Sequence, residues 1–316
     1  MLPKLYPLLF RRRLLEKVWG ARRLERLLGF ELPAGKAIGE SWELSDHPSG
    51  ESVVVNGPLA GTSLRRLMEE DSAAICGGAP LAHGGRFPLL VKFLDTADRL
   101  SVQVHPDDAK AERLRERDGG KNEAWFVLHA DPGAVLWAGV RPGVDRARLA
   151  ESRNIEECLV RHEPAAGDAL AIPAGTLHAI GPGLTLCEVQ QTSDVTYRLH
   201  DWGRPASASR PLHRDRALEV ASFGPAPTAH HAVSGAELPS PGSFTWSLLE
   251  TKERRRLEAR GRFTILVGLA GSADVRSDGE APVRARAGEA VLIPAAVAQC
   301  DLEPRSAYRA LVVRAA

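Results

Sequence analysis

Gly167-Asp168-Ala169-Leu170-Ala171-Ile172-Pro173-Ala174-Gly175-Thr176-Leu177-His178 decides the fold of this 316-residue chain. Ala169 to Ile172 is a short apolar run. It is stopped by Pro173, which has no N–H to give to a sheet ladder. Gly175 permits the tight turn that must follow. The chain then re-enters a strand and presents His178. The stretch predicts strand, sharp turn and strand, with an imidazole carried on the second strand. A surface turn with a solvated histidine is the alternative.

Two features favour an interior imidazole. The spacing of Gly167, Pro173, Gly175 and His178 resembles the second motif of the cupins, small double-sheet barrels that hold a metal inside. Further on, Gly288-Glu289-Ala290-Val291-Leu292-Ile293-Pro294-Ala295-Ala296-Val297-Ala298-Gln299 aligns on it without gaps. Gly288 and Pro294 repeat Gly167 and Pro173, while Ala296 and Gln299 replace Gly175 and His178. We read a second, degenerate barrel that has lost its metal histidine.

Upstream of the decisive stretch, Leu100-Ser101-Val102-Gln103-Val104-His105 alternates strictly. Period two puts Leu100, Val102 and Val104 on one face and Ser101, Gln103 and His105 on the other, turned either to solvent or to an interior. Pro106-Asp107-Asp108 starts a charged helix to about Arg117, ended by Asp118-Gly119-Gly120. Lys121 and Glu123 share a face of the strand that follows. Phe87 to Leu94 is an apolar strand with Lys92 as its single charge. Leu14 to Leu28 carries helical spacing, with Gly29 as its C-cap, and Trp19-Gly20 inside it offers two short pieces as the alternative. Ile38 to Asn56 reads as strands, with Asn56-Gly57 as a turn. Leu64 to Glu70, Asp145 to Ser152 and Arg214 to Phe223 read as helices.

The Pro-, Ala-, Ser- and Gly-rich stretch from Gly224 to Ser243 marks a linker. Beyond it the pattern is strand and turn, clearest at Phe263 to Val267 and Leu311 to Val313. The expected architecture is mainly β: two cupin-type jelly-roll barrels with helical insertions in the first. The expected divisions are a metal-binding domain over 1–225, a linker over 226–243 and a degenerate barrel over 244–316. A chain of this length exceeds the size at which one core keeps growing.

Composition narrows the function. With 41 basic and 40 acidic residues the net charge is +1, which argues against a nucleic-acid or membrane-surface role. No apolar run approaches the ~20 residues of a membrane helix. Cys76, Cys158, Cys187 and Cys300 are far apart and form no Cys-x-x-Cys pair, which points to free thiols in the cytosol. Gln103, His105, Glu123 and His178 lie on separate strands or strand ends and make a nitrogen and oxygen donor set. That set suits zinc, manganese, iron, cobalt or nickel and leaves room for water or substrate. His47, His83, His129, His162, His200 and His213 have no partner at a useful spacing, and His230-His231 falls in the linker.

Five blocks then stand together: Gly39-Glu40-Ser41-Trp42-Glu43, Ser101 to Asp108, Lys121-Asn122-Glu123-Ala124-Trp125, Pro173 to His178, and Ser193-Asp194-Val195-Thr196-Tyr197-Arg198. In order and spacing they resemble the type I mannose-6-phosphate isomerases in their short bacterial form. The resemblance spans about residues 17 to 205. It implies one zinc ion per chain on Gln103, His105, Glu123 and His178. It implies functional roles for Lys121, Glu188 and Arg198, and a part in ring opening for Asp194. It implies a small sugar-phosphate substrate, mannose 6-phosphate or fructose 6-phosphate, and a cytoplasmic monomer or weak homo-oligomer. One departure stands out: longer members have a histidine where this chain has Gly120.

The chemistry agrees with the residues. Aldose–ketose isomerisation moves a proton between C2 and C1, and the enediolate that forms needs a cation close by. Lys121 or Glu188 can be the base. Arg198 offers a fixed cation for phosphate or enediolate, and Ser101 a hydroxyl for phosphate. Another sugar phosphate, an iron dioxygenase or a non-catalytic sugar-phosphate sensor are the rival readings.

Overall fold

The computed structural model describes residues 3–205, 210–258 and 261–316. Strands dominate, as the turn-rich sequence predicts. Among the described residues the strands form four antiparallel sheets. In the first half, a seven-stranded sheet has Glu123–Ala130, Leu184–Gln191 and Leu89–Asp95 at its centre and Ile38–Leu44 and Arg13–Ala21 at one edge. It faces a five-stranded sheet ordered Tyr197–His200, Val102–Val104, His178–Ile180, Leu136–Val140 and Leu159–His162. Trp125, Leu170, Ile172 and Leu186 of the first sheet pack with Leu136, Ala138 and Ile180 of the second in one apolar cluster.

The polar face of Ser101-Gln103-His105 turns inward. The opposite face, Val102 and Val104, is covered by Ala217 and Val220 of the helix Arg214–Val220. Leu100 lies outside the strand and joins the interior cluster instead of following the alternation. An interior filled by polar side chains thus takes the place of a solvent face, because a helix shields the apolar one.

In the second half, a five-stranded sheet centred on Thr264–Ala270 and Tyr308–Ala315 shares a core with the four-stranded sheet containing Ser272–Arg276 and Gln299–Pro304. The same core continues across the outer face of the seven-stranded sheet and the helix Leu64–Cys76. Near the start of the chain, Leu8 and Leu9 pair with Leu292 and Val291, adding a strand to the second unit. Within the expected linker, His230–His231 pairs with Ala169 and Asp168 as an edge strand.

Local expectations were corrected in places. Leu14 to Leu28 is two pieces, of which the first is not helical: Arg13–Ala21 is a strand, and only Arg23–Leu28 is a helix. Pairing with Ile38–Leu44 overrides the helical spacing there. Gly29 does cap the helix, at φ 69°. Asn56-Gly57 is a turn as expected, opening the 3-10 segment Gly57–Leu59. The charged helix after His105 is shorter, Asp108–Arg113, started by the Asp107 side chain accepting from the Lys110 N–H at 2.7 Å.

Candidate metal centre

Antiparallel register builds the site. Arg198, Gln103, His178 and Ala138 lie in one row across four strands of the five-stranded sheet. On the facing sheet Lys92, Glu188 and Trp125 form a second row, with Glu123 two residues before Trp125. The turn carrying His178 is closed by the Thr176 N–H donating to Pro173 O at 3.0 Å. Gly175 adopts φ +88° there, and its N–H donates to His105 O at 2.8 Å, joining the two histidine segments.

His105, Glu123 and His178 converge, with ligand-capable atoms all within 4.8 Å of one another and all three side chains buried. His105 Nδ1 bonds Val195 O at 2.8 Å and His178 Nδ1 bonds Thr176 O at 2.9 Å. A carbonyl can only accept, so each Nδ1 carries the proton and each Nε2 presents a lone pair. Those lone pairs face Glu123, at 3.5 Å from His105 and 3.3 Å from His178. Burial holds both imidazoles below their ordinary range, and Lys121 adds to this at His105. Both are therefore neutral, the form that binds a cation.

Glu123 Oε1 is buried without a hydrogen-bond partner, a costly state that a cation would relieve. Its other oxygen takes the Lys121 ammonium at 2.6 Å, and Lys121 also reaches His105 Nε2 at 3.2 Å. Burial raises the Glu123 carboxyl, but the Lys121 ammonium outweighs it and holds it well below the usual range. Two neutral nitrogens and an ionised carboxylate can hold a divalent ion. Gln103 Nε2 stands 3.2 Å from His178 Nε2, and its oxygen accepts from Ser101 Oγ at 3.2 Å. Ligation by that oxygen needs the amide turned over, an exchange Ser101 tolerates because a hydroxyl both donates and accepts.

A cavity of about 350 Å³ opens beside the cluster. It brings together Ser101, Gln103, Lys121, Glu188, Asp194 and Arg198. Glu188 lies 3.8 Å from Lys121, 2.9 Å from Lys92, and accepts from Trp125 Nε1 at 3.1 Å. Burial and the nearby Glu123 raise its carboxyl, against the pull of Lys92 and Lys121. Arg198 Nε donates to Ser101 Oγ at 3.1 Å. Asp194 is exposed at the edge.

Sequence reasoning missed several walls of this cavity. Lys17, Glu40, Lys92, Arg210 and His213 all line it. Lys92 was visible as one charge in an apolar strand, which is a signal in itself. Glu40 sits between Lys17, at 3.0 Å, and Lys92; burial is outweighed and its carboxyl is held at about 2. His213, set aside for want of a partner in sequence, accepts the Arg198 backbone N–H at 3.3 Å. His47, set aside likewise, pairs with Asp118 at 3.0 Å.

The profile for the catalytic domain of phosphomannose isomerase type I matches residues 8–124. A mannose-6-phosphate isomerase of Streptococcus mutans is 36% identical over 222 residues, 69% of this chain and 68% of that protein. The chain belongs to the type I mannose-6-phosphate isomerase family. A Bacillus subtilis mannose-6-phosphate isomerase is 35% identical over 232 residues, 71% of this chain and 72% of its own length. The crystal structure of a mannose 6-phosphate isomerase from Bacillus subtilis superposes with a TM-score of 0.83 at 27% identity, covering 97% of this chain and 99% of that one. At Gly120, where a histidine is expected only of longer members, the backbone leaves no room for a side chain. A Cβ at 120 would lie 2.4 Å from the Asp108 backbone nitrogen, so no histidine fits this path of the chain.

Proposed function

We propose that this chain is a zinc-dependent aldose–ketose isomerase that interconverts mannose 6-phosphate and fructose 6-phosphate through an enediol. One zinc ion per chain is held by Gln103, His105, Glu123 and His178. The observation that carries the reading is the unpartnered Glu123 oxygen where two proton-free Nε2 atoms meet, beside a cavity walled by Lys121, Glu188 and Arg198. When bound, the ion supplies electrophilic stabilisation of developing negative charge.

The chain's own groups do the rest. Lys121 as the neutral amine, or Glu188 as the carboxylate, takes the C2 proton, and the C2–H electron pair becomes the C1–C2 double bond while the C1 oxygen gains a proton. Collapse of the enediol returns a proton to C1 as the C2 hydroxyl loses its own, so the formula is unchanged. Arg198 and Ser101 bind the anionic end of the substrate. Asp194, at the cavity edge, acts where the closed sugar ring must open. Family membership and the four buried free thiols support a small-molecule enzyme of the cytosol. We assign it no nucleic-acid or membrane partner, and a monomeric or weakly self-associating state.

The test is conversion of mannose 6-phosphate by purified protein with and without a chelator, with elemental analysis of the metal. In heavy water the enediol route places deuterium at C1 of the ketose product, because a proton on Lys121 exchanges before it returns. A hydride shift gives none. No conversion by metal-replete protein would remove the isomerase reading and bring the sensor forward.

A further inference from the structure

Two cavity segments come from distant parts of the chain, and a third region fastens them together. Asp118-Gly119-Gly120 leads directly into Lys121 and Glu123. Ser193-Asp194-Val195 supplies Asp194 and the carbonyl that orients His105. Asp118 Oδ2 accepts the Asp194 backbone N–H at 3.1 Å, and Ser193 Oγ donates to Gly119 O at 2.8 Å. The same Asp118 oxygen meets His47 Nε2 at 3.0 Å.

His47 has a defined tautomer. Its Nδ1 accepts the Ser49 N–H at 3.1 Å, so the ring proton sits on Nε2 and points at Asp118. The ring is 4% exposed and packs edge-on against Trp42 at 6.3 Å. The His47 backbone N–H donates to Ser45 Oγ at 3.0 Å. Beneath the loop, the Gly120 N–H donates to Asp108 Oδ1 at 2.7 Å and the Lys121 N–H to Pro106 O at 3.0 Å. The Asp118 carboxylate is held below its usual range: burial raises it, and His47 and the Asp194 N–H outweigh that.

We infer that His47 and Asp118 form a latch that positions the metal centre, holding the Val195 carbonyl against His105 and setting Asp194 and Lys121 at the cavity. Neither residue touches the cluster, so both are positioning residues acting through Asp194 and Val195. The inference rests on the metal reading above. Partners one shell out from a ligand typically tune metal affinity about 10- to 100-fold, and this latch acts one step further out.

The test is zinc affinity measured against a competing chromophoric chelator, at a temperature where each variant is folded by circular dichroism. Asp118→Ala and His47→Ala should each raise the zinc Kd about tenfold. The double variant should be no worse than either single, because both cut one chain of contacts. Asp118→Asn covers the case in which Asp118→Ala does not fold. It keeps one amide oxygen for both the Asp194 N–H and the His47 Nε2–H while removing the charge, and should weaken zinc less than Asp118→Ala. Leu292→Ala in the second unit is the control that lowers stability without touching the latch. Zinc affinities within twofold of wild type in both latch variants, additive losses in the double, or an equal loss in Leu292→Ala would each overturn the latch. A wild-type protein that takes up no zinc would overturn the metal reading and the latch with it.

Discussion

The same twelve-residue turn occurs twice in this molecule and does two different jobs. In the first copy the Thr176 N–H closes the turn onto Pro173 O at 3.0 Å; in the second the Val297 N–H closes onto Pro294 O at 2.9 Å. The hydrogen bond survives, and its surroundings differ. Gly175 takes φ +88° and is tied to His105 O and the Ser222 N–H, so its strand delivers a buried His178. Ala296 is absent from the positive-φ positions, and Gln299 lies exposed. The second turn instead gives the Ala295 and Ala296 N–H groups to Ile75 O and Ala74 O on the helix Leu64–Cys76, both at 2.9 Å. One turn delivers a buried imidazole to the cluster with His105 and Glu123; the other docks its unit onto the first. Exchanging a left-handed glycine and a histidine for Ala296 and Gln299 goes with a motif used for packing.

The comparison breaks most sharply at the histidine. His178→Ala should lose metal and activity together, since it removes a nitrogen from a three-residue cluster, with a rate loss of about a thousandfold or more. Gln299→Ala should change neither, and untagged wild type should hold one equivalent of metal. Elemental analysis and turnover check both variants. Two equivalents, one of them lost on Gln299→Ala, would give the second turn a metal site after all.

Next in size are the groups that touch the cluster without belonging to it. Lys121→Ala should keep its metal and lose turnover about 10²- to 10⁴-fold, the usual worth of a positioned acid or base. Glu188→Gln distinguishes the candidates: if it alone abolishes turnover, the base is Glu188. Metal content must be measured alongside, because Lys121 also neutralises Glu123 at 2.6 Å.

How much of this was legible depends on the range over which each feature is determined. Pro173, Gly175 and the twelve-residue echo are local, and local sterics fixed their reading. The donor set was legible because its residue types are rare together in strands. The inward turn of Ser101-Gln103-His105 was not, because it depends on a helix more than a hundred residues later covering Val102 and Val104. Arg13–Ala21 misled for the same reason: strand pairing across the chain outweighed helical spacing. Lys92 became a site residue only when register set it opposite Glu188, and Glu40 only when the fold brought Lys17 and Lys92 to it. His47 and His213 have partners 71 and 15 residues away that no spacing rule reveals.

The second unit carries packing, so its damage should appear in stability. Leu292 is fully buried in the core shared by both units, opposite Leu8. Leu292→Ala should cost about 2–5 kcal/mol by denaturant unfolding. Turnover per folded molecule should stay close to wild type. A turnover loss matching that of Lys121→Ala would mean that the second unit shapes the site.

The smallest effect sharpens the comparison on a single strand. Glu40 and Glu43 both lie on Ile38–Leu44, one turned to the charged cavity and the other to the core between the units. Glu40 has Lys17 and Lys92, and its carboxyl is held at about 2. Glu43 is 3% exposed, with Ser41 and the Arg12 guanidinium as partners, the latter at 3.4 Å; burial outweighs them and pushes its carboxyl up to about 7. Arg12 is shared, because it also donates to Gly288 O of the second unit at 3.0 Å. Between the ordinary glutamate value and about 7, the folded protein keeps a proton on Glu43 that the unfolded chain has released. The folded state binds more protons there, so stability falls as pH rises through that window, by at most about 3 kcal/mol. Glu43→Gln fixes the neutral form. It should be close to wild type in stability at pH 4 and more stable at pH 8, by about 1–2 kcal/mol after the lost Arg12 contact. Urea midpoints at the two pH values check this. Parallel pH profiles for wild type and Glu43→Gln would mean that Arg12 keeps Glu43 ionised, and that the two carboxylates of this strand do not differ as their surroundings imply.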